Sequence, residues 1–156
     1  MANNYLRLLT DKPFIIDVVN GCEILADADD VFTWIDKDFK KWRVDEQGPA
    51  TDRIPVIVYE MTKDGTFADL YGSLCRDNRK LCFTQAQIKS FVKKYRSWLQ
   101  TDGYGALFLL QSRGEFFVAR VRAHSNGFHV EVHRFEHAAL WYVVNRLRLV
   151  VPQITL

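Results

Sequence analysis

Four histidines lie in the last third of the chain, at 124, 129, 133 and 137, and three of them interleave with Arg120, Arg122 and Glu131. Three chemistries use such a set. A carboxylate as general base, an imidazole as general acid and guanidinium groups on a phosphate can cleave RNA. Glu131, His129, His133 and Arg122 are the candidates for that ribonuclease-like reaction. Two imidazoles can share a metal ion, and His124 with His129 is the candidate pair. Cationic side chains beside aromatic rings can also hold an anionic partner with no reaction at all. Arg120, Arg122, His124, His129, His133, Arg146 and Arg148 are the candidates for such a surface, with Tyr104, Phe116 and Trp141 as stacking groups.

A three-stranded meander over about 105–135 must position most of these residues. Asn126-Gly127 between alternating apolar residues is a strong hairpin signal, because a two-residue type I′ turn needs positive φ at both centres. Arg113-Gly114 is a weaker one, since only its glycine suits that backbone. Two-residue turns there would pair Leu110 with Phe117, Phe108 with Ala119, Val121 with Val132 and Ala123 with Val130. The opposite face would pair His124 with His129, Arg122 with Glu131 and Arg120 with His133. One face is then apolar and the other polar.

That placement ranks the chemistries. In a strand, His129 and His133 are roughly 13 Å apart at 3.3 Å per residue, too far for one zinc ion. His124 and His129 would be cross-strand neighbours, but a third ligand must come from elsewhere, and Cys75-x6-Cys82 lacks tight zinc spacing. Arg122 beside Glu131 would keep that carboxyl acidic, which counts against a tuned base. No GxxxxGK[ST], GxGxxG, HExxH or GxSxG motif occurs, so no cofactor is expected. A binding or regulatory module, with nucleic acid or an acidic protein as partner, needs the fewest assumptions.

The rest of the chain must supply the support. Thr84 followed by Gln87 is a capping box for a helix over 85–100, with Phe83 and Ile88 as its staple. Ile88, Phe91, Val92, Tyr95, Trp98 and Leu99 form its buried stripe, and Gly103 is its expected C-cap. Ile54–Met61 reads as a strand, and Thr66 with Asp69 as a second capping box. Phe32, Ile35, Phe39 and Trp42, spaced 3, 4 and 3, predict a helix opened by Asp27, Asp29 and Asp30. Residues 14–19 and 22–25 predict a hairpin around Asn20-Gly21. Residues 146–151 predict a last strand, while 137–144 suits either a short helix or a strand. Asp36-Lys37-Asp38 reads as solvated surface.

Segregated helices and strands point to an α+β class with an antiparallel sheet. At 156 residues, 48% hydrophobic and 13% aromatic, the chain suits one domain over 1–156, with 1–50 as the candidate subregion. Its apolar runs are too short to span a bilayer, the N-terminus lacks signal-peptide features, and three scattered cysteines suit a reducing compartment. A cytoplasmic location without a membrane partner is expected. Residues 1–83 carry 11 Lys and Arg against 15 Asp and Glu, and residues 84–156 carry 10 against 4. The halves can attract each other within one fold, or the basic half can face an acidic partner.

The segments LCFTQAQI (81–88), WLQTDGYG (98–105), GEFFVA (114–119) and VVPQ (150–153), with VYEMTKDGTF (58–67) upstream, resemble a family of uncharacterised bacterial proteins. The resemblance covers about residues 50–156. It implies an intact natural domain and no site residues.

Overall fold

The computed structural model describes residues 4–9, 13–100 and 103–153. In chain order the elements are β1 (Leu6–Leu8), β2 (Phe14–Ile16), β3 (Phe32–Ile35), α1 (Asp38–Lys41), β4 (Ile54–Met61) and α2 (Phe67–Gly72). Then come β5 (Cys82–Phe83), α3 (Gln85–Lys94), α4 (Arg96–Leu99), β6 (Gly105–Ser112), β7 (Glu115–His124), β8 (Gly127–Arg134) and β9 (Leu147–Pro152). The strands form one sheet in the order β1-β4-β9-β6-β7-β8-β3, with β2 also on β4 and β5 also on β6.

The α+β class holds, but the sheet is mixed. β6 with β9, β3 with β8 and β5 with β6 are parallel pairs. The first of these pairs follows from the connection after β8. Residues 135–146 cross over the sheet and deliver β9 between β4 and β6, aligned with β6. Neither a helix nor a strand fills 137–144. Trp141 makes one isolated bridge to Gly65, and a 3-10 turn covers Val143–Asn145.

Each face of the sheet carries a buried cluster. On one, Phe108, Leu110, Phe117, Ala119, Val121 and Val132 share a cluster with Ile88, Phe91, Val92 and the half-buried Tyr95 and Trp98. On the other, Leu107, Leu109, Val118, Leu149 and Val151 pack with Phe67, Leu70, Tyr71 and Leu81. Alternation along β6 supplies both clusters from one strand, which is why its residues 105–110 are all buried.

The Thr84 capping box is complete. Gln87 N donates to Thr84 Oγ1 at 3.1 Å, and Thr84 N donates to Gln87 Oε1 at 2.9 Å. The helix it opens is broken at Tyr95 (φ −111, ψ 35), not continuous to 100. Tyr95 Oη accepts from Ile15 N at 2.7 Å and donates to Ile15 O at 3.1 Å, so β2 anchors the break. The second segment ends at Leu99, and Gly103 (φ +66) stands beyond its cap, Gln100.

Two N-terminal expectations fail because distant partners outcompete the local pattern. Phe32–Ile35 is a strand beside β8, and only Asp38–Lys41 is helical. Phe32 and Phe39 are still buried in the core. Residues 22–25 do not return as a hairpin. Val19 bridges Thr51 instead, and Leu25–Asp27 forms a 3-10 turn.

Candidate functional site

The first hairpin has the expected register, Leu110 with Phe117 and Phe108 with Ala119. Arg113 (φ 53) and Gly114 (φ 82) both take positive φ, as a type I′ turn requires. Arg113 tolerates it because Asp45 holds its guanidinium at 3.0 Å and Glu46 accepts its backbone N–H.

The second hairpin is shifted by two residues. Ser125 and Asn126 make the turn, and Gly127 (φ +128) joins the ladder opposite His124. Val121 therefore faces Val130, Arg120 faces Glu131 and Arg122 faces His129. A slip of two leaves every side chain on its expected face, so the polar face survives with new partners.

The shift creates a row across three strands. Trp34 of β3 pairs with His129 of β8, which pairs with Arg122 of β7. The rings of Trp34 and His129 are 5.6 Å apart, and Trp34 is 44% exposed. His124 stacks on His129 with centroids 3.8 Å apart and planes 20° apart. His129 Nε2 bonds Asn126 Oδ1 at 3.0 Å, which places the ring proton on Nε2. Desolvation, and then the neighbouring His124 and Arg122, hold the His129 pKa below the usual imidazole value. Arg122 is exposed and makes no ion pair among the described residues.

One metal ion does not suit the stacked pair. Ligand lone pairs lie in the ring planes, and nearly parallel planes 3.8 Å apart share no point about 2.1 Å from both nitrogens. Among the described residues, no group of three or more His, Cys, Asp or Glu is placed to hold a metal. Thiol chemistry is equally unsupported at Cys82, whose pKa burial and Asp77 push up to about 12.

A second row lies further in. Arg120 Nη1 is 3.6 Å from Glu131 Oε2, and His133 Nε2 is 3.4 Å from the same oxygen. The His133 hydrogen bond, then the charges of Arg120, His133 and Arg122, hold Glu131 below the usual carboxylate range against the opposing effect of burial. Trp141 folds over this row. Its ring is 5.0 Å from His133, 5.1 Å from Phe67 and 5.6 Å from the Arg120 guanidinium. Four cavities of about 280 to 330 Å³ open elsewhere, and none of them is lined by Arg120, Arg122, Glu131 or His133.

The remaining candidates sit apart. Arg148 pairs with Ala106, which pairs with Val121, so its side chain is on the helix face. There it is 8% exposed and packs over Tyr104 at 3.8 Å. Arg146 is exposed at φ 56 with its guanidinium 4.7 Å from the same ring. Two lysines of α3, the buried Lys89 and the exposed Lys94, meet acidic partners, while Lys93 is exposed. Lys89 meets Glu23 at 2.9 Å and Asp30 at 3.1 Å, and Lys94 meets Asp17 at 3.2 Å. Part of the charge asymmetry is thus neutralised by ion pairs between the two halves.

Sequence reasoning missed Trp34 because it assigned the residue to a helix. The aromatic and β-branched run Phe32-Thr33-Trp34-Ile35 was the available strand signal. No helix among the described residues is long and apolar enough to cross a membrane. No family model matches the chain, and no curated protein or solved structure is significantly similar to it.

Proposed function

We propose that this chain is a non-enzymatic binding module and that its partner is a single-stranded nucleic acid. The observation that carries this reading is the row Trp34–His129–Arg122, exposed at both ends and half-buried at His129, with His124 stacked beside it. An indole and paired imidazoles offer flat faces for bases, and an unpaired guanidinium offers two donors to a phosphate. Single-stranded binding needs this mixture, and it needs no deep pocket.

The phosphodiesterase alternative has less support. A general base should be tuned toward neutral pH, whereas Glu131 is held acidic and engaged by His133 and Arg120. None of the four larger cavities is lined by Arg120, Glu131 or His133.

The test is fluorescence anisotropy with a labelled oligothymidylate at low salt. Binding by the wild type, weakened by Arg122→Glu, supports the proposal. Absence of binding would remove nucleic acid and leave an acidic protein as the partner for the same surface.

A further inference from the structure

Phe135 packs on Tyr71 and Phe116, but residues 136–145 beyond it are weakly built into the fold. Gly65 and Trp141 exchange two backbone hydrogen bonds of 3.0 and 2.8 Å, and Val143 N donates to Asp64 Oδ1 at 2.8 Å. Leu140, Tyr142, Val143 and Val144 point into solvent, with Val144 84% exposed. Only Trp141 packs inward, between Phe67, His133 and Arg120. Opening this segment would therefore uncover little apolar surface beyond one side chain, the signature of a low-stability element.

Beneath it, two donors have no acceptor. Arg120 Nε and Trp141 Nε1 are both shielded from solvent and lack a hydrogen-bond partner among the described residues. Buried donors are normally satisfied, because an orphan keeps the desolvation cost without a bond to offset it. These two belong to side chains in face contact, in a row next to the exposed one. Arg120 and Arg122 are two residues apart on β7, so roughly 6.6 Å separates them along the strand. One nucleotide of an extended strand can cover that step.

We propose that residues 136–145 form a displaceable strap over a second phosphate subsite, in which Arg120 holds a phosphodiester group of the bound strand. The inference rests on the nucleic-acid reading of the outer row. The outer row captures the strand first. The strap then moves aside far enough for a phosphate oxygen to reach Arg120 Nε, and Trp141 follows it as a second stacking ring.

The test clamps the strap. Asp64 and Tyr142 flank the Gly65–Trp141 bridge and are both exposed, so Asp64→Cys/Tyr142→Cys, with Cys22→Ser, can close a disulfide that spares Trp141 and Arg120. Oligothymidylate affinity is measured for the reduced and oxidised forms over a salt series. The oxidised form should lose roughly tenfold in affinity, the worth of one charge-assisted hydrogen bond. Its salt dependence should be shallower by about 0.7 in log–log slope. Arg120→Gln should reproduce that loss in the reduced form and add nothing in the oxidised form. Hydrogen exchange gives a readout that needs no disulfide: the oligonucleotide should speed exchange at the Gly65 and Trp141 amides. Equal affinity and slope in both redox states, or unchanged exchange at those amides, would overturn the strap. Absence of binding by the wild type would instead overturn the nucleic-acid reading on which the strap rests.

Discussion

Gly127 joins the two halves of the site, and its replacement tests how β3 is held. It sits at φ +128, and a Cβ there would fall 2.4 Å from Thr33 Cγ2, 2.9 Å from Thr33 Oγ1 and 3.3 Å from Thr33 Cβ. Gly127→Ala meets two costs. Holding a non-glycine residue in that backbone region costs about 1–3 kcal/mol. Forcing a methyl group into Thr33 costs about 1–3 kcal/mol more. Together the loss should be roughly 3 kcal/mol. Thr33→Ala removes Cγ2 and Oγ1, leaving only the 3.3 Å contact. In the wild type that change should cost about 1 kcal/mol, because Thr33 Oγ1 donates to Phe128 O at 3.3 Å. In the Gly127→Ala background it should instead restore about 1–2 kcal/mol. Urea denaturation of the four proteins closes the cycle. Additive effects would show that β3 does not pack on Gly127 as described. The cycle also reaches the site, because a displaced β3 carries Trp34 away from His129, and oligonucleotide affinity should fall with stability.

Thr84→Ala removes the hydroxyl of the capping box, and thermal denaturation should show a loss of about 1 kcal/mol. Glu131 is held acidic in the folded state, so the stability it contributes is present above the unfolded carboxylate range and is lost as pH falls through its folded value. An acid titration of Glu131→Gln should therefore be flatter than that of the wild type below about pH 4.3. His129 has a lowered pKa and is neutral near pH 7. A bound polyanion favours its charged form, so nucleic-acid affinity should rise as pH falls below the ordinary imidazole range. In anisotropy titrations His129→Ala should reduce that rise.

Local chemistry was the most legible part of the chain. Thr84 with Gln87 and Thr66 with Asp69 form their capping boxes because both partners lie within four residues. Ile54–Met61 has its expected bounds, and the apolar face of the meander packs on α3 as alternation requires. Failures arose where a distant partner decided. Phe32 to Trp42 carries a helical spacing, but the free edge of β8 takes its first four residues as a strand. A last strand was visible in 146–151, yet the place of β9 beside β6 depends on the crossover and has no local signature. Arg113-Gly114, the weaker turn signal, adopts the type I′ backbone because Asp45 and Glu46 hold it. Asn126-Gly127, the stronger one, slips because Gly127 is needed against Thr33. The polar face survived that slip through parity alone. Its division into an open row and a row beneath Trp141 could not be read, since both Trp34 and Trp141 arrive from outside the meander.

The most direct measurement compares the salt dependence of oligothymidylate binding for the wild type, Arg122→Glu and Trp34→Ala. A phosphate contact contributes about 0.7 to the log–log salt slope of a single strand, whereas a stacked ring contributes affinity with no counterion release. Arg122→Glu should lower both affinity and slope. Trp34→Ala should weaken binding by roughly 1–3 kcal/mol with the slope unchanged. Binding that ignores salt, or that survives both substitutions intact, would contradict the assignment of this row as a nucleic-acid surface.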